Sequence, residues 1–550
     1  MNTTSSSGSG DTDDDSRAGT VRAATLDIMR GLGLTTIFAN PGSTEIDFLV
    51  GLPDDFDFRL ALHEGAVVGM ATGWSMACGR PAFVNLHTSA GLGNAVGALA
   101  TARVNRVPLV VVVGQQDRRH LAHEPFLAGR LEGLAGQYPV WTGHPVRPQD
   151  VPAAVARAYH EAVSGCGPAL VIVPMDDWSA PAAQERGAAP VTVVRAPTTA
   201  SASADEISEL LDAASAPAIV VGAGADSQET WTALADLATK IGAPVWQEPF
   251  GARAGFCQDH SSFVGHLPSA RSGVREALAG HDVLLVVGAP VLRQYPFEPG
   301  DLVPDGTRTL QVTQFPDEAH NSVADMVVLA ELAEAVRAIA ERVTKRRSRT
   351  YRRPALKSLT PPKPGEPLRP GHVFDLLAAH APKDTILVEE SPSSRAELHR
   401  RVPAREPLGF VSAAAGGLGF GLPAAVGIKM GLPRRPVVAV LGDGSSLYAI
   451  QGLWSAAHYG SGVLFIVMAN GGYTIMDGLA ERSGLGKAPW PGFTEVSMST
   501  LAAGFGCPTR RIETYDELAE ALEWVLPTLS EREEPLLLDI AVAPEQLWST

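Results

Sequence analysis

Positive charge is the first shortage in this sequence. Lys and Arg number 44 against 60 Asp and Glu, a formal net charge of −16, and so acidic a chain disfavours nucleic acid and anionic membrane surfaces as partners. Long apolar runs are missing too: none reaches the ~18 to 20 residues that a membrane-spanning helix requires. The opening MNTTSSSGSGDTDDDSRAG has no apolar stretch of the secretory kind and reads as a disordered tail, residues 1–17, of a cytoplasmic protein. Cysteine is scarce. Cys78, Cys166, Cys257 and Cys507 stand far apart with no CxxC pair, which speaks against a disulfide framework or a zinc site and for reduced thiols.

Apolar residues are plentiful, 45% hydrophobic against 19% charged over 550 residues. That length exceeds one core and suggests about three or four α/β domains. Short β-branched runs alternate with Ala-rich amphipathic stretches throughout, the pattern of parallel sheets covered by helices on both faces. The runs form three groups. TTIFAN, FRLAL, PAFVNLH, PLVVVVGQQ and ALVIVPMDDW make the first; AIVVGAGA, APVWQE, DVLLVVGAP and TLQVTQF the second; TILVEE, PVVAVLGDG, VLFIVMANGG and PLLLDIAV the third. The stretch RGAAPVTVVRAPTTASASA and the basic, Pro-rich KRRSRTYRRPALKSLTPPKPGEPLRP separate them as linkers. Three doubly wound domains follow, over 18–190, 200–345 and 371–550, with a linker at 346–370. The first and third groups both close on a strand followed by acid and Trp, a hint that these two domains are related.

Ligands of open parallel sheets sit at the carboxyl ends of the strands. Asp443 stands there, between two glycines in VVAVLGDGSS, and Asn470 ends the next run in VLFIVMANGG, 27 residues on. GDG alone also reads as a turn. With Asn470 and a backbone carbonyl beside it, Asp443 becomes part of a hard-oxygen set suited to Mg²⁺, which takes few protein ligands plus phosphate oxygens. Glu64 lies between a run and an unusually apolar helix, LALHEGAVVGMATGW, where a carboxylate is desolvated.

GDGSS followed by Asn470 resembles the diphosphate and Mg²⁺ motif of thiamin diphosphate enzymes. FANPGSTEIDFL, LALHEGAVVGMATGW, PAFVNLHTSAGLGNAVGAL, VVVGQQ, DDW, GHDVLLVVGAPVLR and AAGGLGFGLPAAVG resemble one branch of them, the benzoylformate decarboxylases, over nearly the whole chain. The resemblance implies that Glu64 hydrogen-bonds the aminopyrimidine and promotes the ylide. Ser43 then binds the substrate carboxylate and His87 relays protons, although Ser43 also suits a helix start, with Thr44 and Asp47 in capping-box spacing. It implies metal ligation by Asp443, Asn470 and the Gly472 carbonyl, and cofactor contacts from Ser393, Gly416, Leu418, Gly444, Ser445, Tyr473 and Thr474. Tyr295, Met476, Leu479, Phe126 and Leu127 fall at substrate-pocket positions. Tyr295 replaces the branch's second active-site histidine, for which His120 and His123 are stand-ins if their loop reaches the site; His281, before a strand, reads as structural.

The implied reaction is non-oxidative decarboxylation of a 2-oxo acid, aryl by the resemblance, to an aldehyde and carbon dioxide. A carboligase, acetolactate synthase-like or hydroxyketone-forming, is the alternative; a non-catalytic cofactor-binding subunit is a minor one. VVGAGADS carries Ser227 where a dinucleotide fingerprint has its third glycine, so that signal is weak; some relatives bind FAD there but the benzoylformate branch does not, and the resemblance therefore implies no FAD. The family places its cofactor between the first domain of one subunit and the last of another, which implies a homo-oligomer, at least a dimer and in this branch a tetramer.

Overall fold

The computed structural model describes residues 19–183, 191, 193, 201–344, 351, 356–486 and 488–544. The expected tail lies outside them, as do large parts of both expected linkers; residues 356–369 contain no helix and no strand beyond an isolated bridge from Leu368 to Val542.

Eighteen strands form three six-stranded sheets among the described residues. The first contains β1 Thr36–Asn40, β2 Asp57–Leu60, β3 Ala82–His87, β4 Leu109–Gln115, β5 Trp141–Gly143 and β6 Pro168–Pro174, in the order β2-β1-β3-β4-β6-β5. The second contains β7 Pro217–Val221, β8 Val245–Gln247, β9 Phe263–His266, β10 Val283–Val287, β11 Arg308–Thr313 and β12 Met326–Leu329, in the order β12-β11-β10-β7-β8-β9. The third contains β13 Ile386–Glu390, β14 Phe410–Ser412, β15 Val437–Gly442, β16 Leu464–Ala469, β17 Thr509–Ile512 and β18 Leu536–Ala541, in the order β14-β13-β15-β16-β18-β17. Every pairing within the sheets is parallel. Contacts group the first sheet with residues 426–432 and 451–455 in one compact unit, and the second and third sheets in another.

The first and third sheets have one strand order between them, so the hint of two related domains is carried by topology. Five strands escape the sequence reading: β5, β9, β12, β14 and β17. Each has three or four residues and lies at a sheet edge. An edge strand needs burial on fewer sides, so segments such as WTG and TRRI carry no apolar run. The central strands do. In β7, Ile219 and Val221 enter one core while Ala218 and Val220 enter another on the opposite face, which is why an alternating pattern is absent.

In the second sheet the VVGAGADS loop meets the chain leaving β10. Gly222 N donates to the Val287 carbonyl at 3.1 Å and Gly224 N to that of Gly288 at 2.9 Å. A Cβ on Gly222 would lie 2.6 Å from that of Ala289. These glycines let two backbones cross, with the N–H groups of Gly222 and Gly224 bonded within the protein. Ser227 caps the helix Gln228–Ile241, accepting from Thr230 N. His281 ends its loop with Nδ1 3.0 Å from the Ala216 carbonyl, a structural contact.

The DDW stretch after β6 fixes the loop that leaves β4. Asp177, fully buried, accepts from Arg118 Nε at 2.6 Å and Nη2 at 2.7 Å, and Asp176 accepts from Arg118 N. Burial raises the Asp177 carboxyl while Arg118 opposes the shift. Asp177→Ala removes two charge-assisted bonds from a partly exposed guanidinium that keeps the Pro145 and Val146 carbonyls and is expected to cost about 1 to 3 kcal/mol, read as a lowered thermal unfolding midpoint; an unchanged midpoint would mean the pair contributes nothing.

Candidate active site

Where strand order reverses, neighbouring strands send their chains to opposite faces and leave a crevice at their carboxyl ends. In the first sheet this point lies between β1 and β3. Glu64 opens the helix Glu64–Cys78, whose residues from Ala66 to Ser75 are buried, so its first turn is held among apolar neighbours. His63 caps the helix, Nδ1 accepting from Gly65 N. The Glu64 carboxylate is buried and takes Asn40 Nδ2 at 3.3 Å and Asn94 Nδ2 at 3.0 Å. Neither amide was expected from sequence: Asn40 ends β1 and Asn94 lies on the helix Thr88–Val104, and only folding brings them to one carboxylate.

His87, the last residue of β3, meets Ser43–Glu45 across the same crevice. Its Nδ1 lies 2.9 Å from Thr44 Oγ1 and 3.0 Å from Glu45 Oε2. Glu45 is 1% exposed and also accepts from Gly42 N at 2.8 Å and Thr44 Oγ1 at 2.5 Å. The turn is thus boxed by Gly42 and Glu45, in place of the expected Thr44 and Asp47, because Glu45 folds back on its own turn to reach the imidazole. A carboxylate at this distance suits an N–H at Nδ1, the nitrogen turned to Glu45. Sequence reading missed Glu45, because GSTE has glycine where a capping box has Ser or Thr. Thr88, next in the chain, has φ +37°, an outlying conformation for a β-branched residue. Ser43 is exposed.

Gln115 ends β4 and holds the loop beyond it, donating to the Gly129 carbonyl at 2.7 Å and accepting from Gly129 N at 2.9 Å. Phe126, 88% exposed, and Leu127 lie on that loop, and His120 and His123 are exposed there.

The third sheet repeats the arrangement, its order reversing between β13 and β15. β15 and β16 are neighbours, and Asp443 and Asn470 follow their last residues. Asp443 is buried; Oδ1 accepts from Gly444 N and Oδ2 from Gly471 N, each at 2.7 Å. Burial raises its carboxyl and these N–H groups oppose the shift. Asn470 Oδ1 accepts from Gly472 N at 3.1 Å. Ser445 Oγ donates to the Glu390 carbonyl at 2.6 Å, Ser393 Oγ accepts from Ile475 N, and Tyr473 packs on Phe493 beside Gly444. Gly416, with φ +70°, and half-buried Leu418 lie on the turn before the helix Gly421–Gly431, and Thr474 opens the helix Thr474–Ser483. The crossover between β15 and β16 contains two short helices, Asp443–Ser446 and Gly452–His458.

Two side chains here had no place in the sequence reading. Glu389 pairs with Arg395 at 2.7 Å, and Glu390 accepts from three backbone N–H groups before the helix Gly421–Gly431. In the same unit, Tyr295 is 57% exposed on a loop anchored by Arg293, which pairs with buried Glu248 at 3.0 Å. The Ser272 N–H lowers the Glu298 carboxyl on that loop, helped by Arg275 and by Arg482. Arg482 belongs to the helix bearing Met476 and Leu479, so these three expected pocket positions stand on neighbouring segments.

The residues fit a diphosphate and a hard cation. No three His, Cys, Asp or Glu side chains among the described residues are grouped to hold a metal. One buried carboxylate, one side-chain amide oxygen and a backbone carbonyl form the other kind of site, completed by phosphate oxygens. A cation beside Asp443 would offset the desolvation of its charge.

Three family models match the chain: thiamine pyrophosphate enzyme, N-terminal TPP binding domain, over residues 19–131; central domain, over 204–339; and C-terminal TPP binding domain, over 393–540. A benzoylformate decarboxylase of Pseudomonas aeruginosa is 40% identical over 532 residues, 95% of this chain and 98% of the relative. A solved Rhodococcus jostii thiamine diphosphate-dependent 4-hydroxybenzoylformate decarboxylase has a TM-score of 0.90 at 35% identity, covering 96% of this chain and all of that one. A benzoylformate decarboxylase structure from Polynucleobacter necessarius has a TM-score of 0.89 at 32% identity, over 96% and 99% of the two chains.

Gly114 of β4 permits the His87 network. A Cβ there would lie 1.9 Å from Glu45 Oε1 and 2.4 Å from Thr44 Oγ1. Gly114→Ala is therefore expected to lose about 1 to 3 kcal/mol of stability and to shift the ring resonances of His87 in NMR spectra; wild-type values of both would show that these side chains are free to yield.

Proposed function

The chain belongs to the thiamin diphosphate-dependent 2-oxo acid decarboxylase family, and on that premise we propose that it converts an aryl 2-oxo acid to the aldehyde and carbon dioxide, using thiamin diphosphate and Mg²⁺. The observation that carries this reading is the pair of crevices in two sheets of one strand order. One presents the Glu64 carboxylate and an oriented His87; the other presents Asp443 with Asn470.

Bound thiamin diphosphate supplies the attacking carbon and the electron sink for loss of carbon dioxide. The protein's part is orientation and proton transfer. Asp443, Asn470 and the Gly472 carbonyl would hold the Mg²⁺. Ser393, Gly444, Ser445, Tyr473 and Thr474 would line the place of the diphosphate, and Gly416 and Leu418 would support the cofactor. Glu64, fixed by Asn40 and Asn94, holds and moves a proton at the aminopyrimidine. Ser43 hydrogen-bonds the substrate carboxylate. His87, fixed through Nδ1 by Glu45, moves protons at Nε2. Phe126, Leu127, Tyr295, Met476 and Leu479 shape the substrate side, and their apolar and phenolic character suits an aryl group. FAD has no part.

Tyr295 favours a second reading, carboligation. A phenol is a weaker proton donor than an imidazolium, so Tyr295 would supply the product's proton more slowly than a histidine there and a second carbonyl compound would compete better. We place the protein in the cytoplasm as a homo-oligomer, tetrameric on the benzoylformate pattern. Its four free cysteines suit a reducing compartment, and no helix among the described residues is long and apolar enough to cross a membrane.

The direct test incubates the full chain, thiamin diphosphate and Mg²⁺ with a panel of aryl and alkyl 2-oxo acids, with carbon dioxide and organic product measured separately. Aryl acids are expected to give stoichiometric aldehyde; no carbon dioxide from any member would refute the activity. Tyr295→His is expected to raise the aldehyde fraction when an acceptor aldehyde is added, and an unchanged product ratio removes Tyr295 from proton transfer. Glu64→Gln is expected to bind the cofactor yet exchange its thiazolium C2 proton orders of magnitude more slowly, a loss on the scale of general acid–base catalysis. Wild-type exchange, followed by deuterium quench and NMR, would take the role from Glu64.

A further inference from the structure

Glu390 ends β13 opposite Leu441, one residue before the end of β15, and Asn40 ends β1 opposite Leu86, one residue before the end of β3. The two side chains thus hold one position in two sheets of one strand order, at the crevice where such sheets take ligands. Asn40 turns its amide to Glu64. Glu390 is turned instead to the chain's own backbone. Oε1 accepts from Gly419 N at 2.7 Å, and Oε2 from Phe420 N at 2.7 Å and Gly421 N at 2.5 Å.

These N–H groups precede or open the helix Gly421–Gly431, where a helix has donors without internal partners and the positive end of its dipole. The side chain is 4% exposed, and a Cβ on Gly421 would lie 2.9 Å from the Cβ of Glu390, so the slot is closely filled. Burial pushes the Glu390 carboxyl up to about 7 against the pull of its three donors. The same residue reaches the metal-side turn through its backbone, since its carbonyl accepts from Ser445 Oγ. One residue therefore ties down both the turn that carries Gly416 and Leu418 and the GDGSS turn.

We propose that Glu390 is a positioning residue of the cofactor site, an internal anion that fixes the Leu418 turn and fills the N-terminus of the helix Gly421–Gly431, so that the diphosphate is received at the Asp443 turn. A second anion is disfavoured at a helix end that already holds one, whereas the Asp443 turn has a cation to add. The inference rests on the thiamin diphosphate reading above.

Hydrogen exchange of the cofactor-free, full-length protein and the thiamin diphosphate dissociation constant, measured by calorimetry with Mg²⁺, test it in Glu390→Ala, Glu390→Gln and Glu390→Asp. In Glu390→Ala both the exchange rate over 413–421 and the dissociation constant are expected to rise about tenfold or more, the scale of a lost charge-assisted hydrogen bond. Glu390→Gln should move both in the same direction by less, and it carries the test if the alanine variant does not fold. Glu390→Asp, which keeps the charge, should recover part of each. Wild-type exchange, or wild-type affinity, in the folded alanine and glutamine variants overturns the proposal. Asp443→Ala is the control: it is expected to lose the cofactor, and wild-type affinity there would defeat the cofactor reading itself, whatever Glu390 does.

Discussion

Parallel strands end together, and the fold depends on what this does at a reversal of strand order. Chains leaving the two strands on either side of the reversal run to opposite faces, so the end of the sheet stays open there. N–H groups of the following turns and helices point into the opening. The molecule uses that geometry twice with one strand order, in the first and third sheets. It closes the corresponding place in the second sheet by crossing two glycine-rich backbones.

Carboxylates crowd these openings. Glu45, Glu64, Glu390 and Asp443 are all buried, and a buried charge is costly unless it is hydrogen-bonded or paired. Each has donors: Gly42 N, Thr44 and His87 for Glu45; two Asn amides for Glu64; three backbone N–H groups for Glu390; and two for Asp443. The type of donor distinguishes them. Glu45 is fixed to an imidazole and to its own turn, and Glu64 to two neutral amides. Glu390 is spent on the backbone before a helix, and Asp443 on the backbone of two glycine turns.

Much of this was legible in the sequence. The central strands declared themselves as continuous β-branched runs because burial on both faces demands it. Asp443 and Asn470 stood out because an acid and an amide closing consecutive runs have no packing reason to be there. Five of the six edge strands were hidden, all of three or four residues, and WTG and TRRI among them are too short and too polar to show a period. The partners of the functional side chains were hidden as well. Asn94 sits in a helix 30 residues from the carboxylate it holds, and Glu390 meets donors 29 to 31 residues away.

By itself, then, the chain's order of residues determined the alternation of strand and helix, the parallel sheets, and the residue types at the strand ends, because these follow from local periodicity and from glycine next to a polar group. Tertiary structure alone decided which polar groups share a proton or a hydrogen bond. That outcome depends on distances between strand ends that are far apart along the chain, and these exist only after strand order and register bring Asn40 beside Glu64, Glu45 beside His87, and Glu390 under the turn of Leu418.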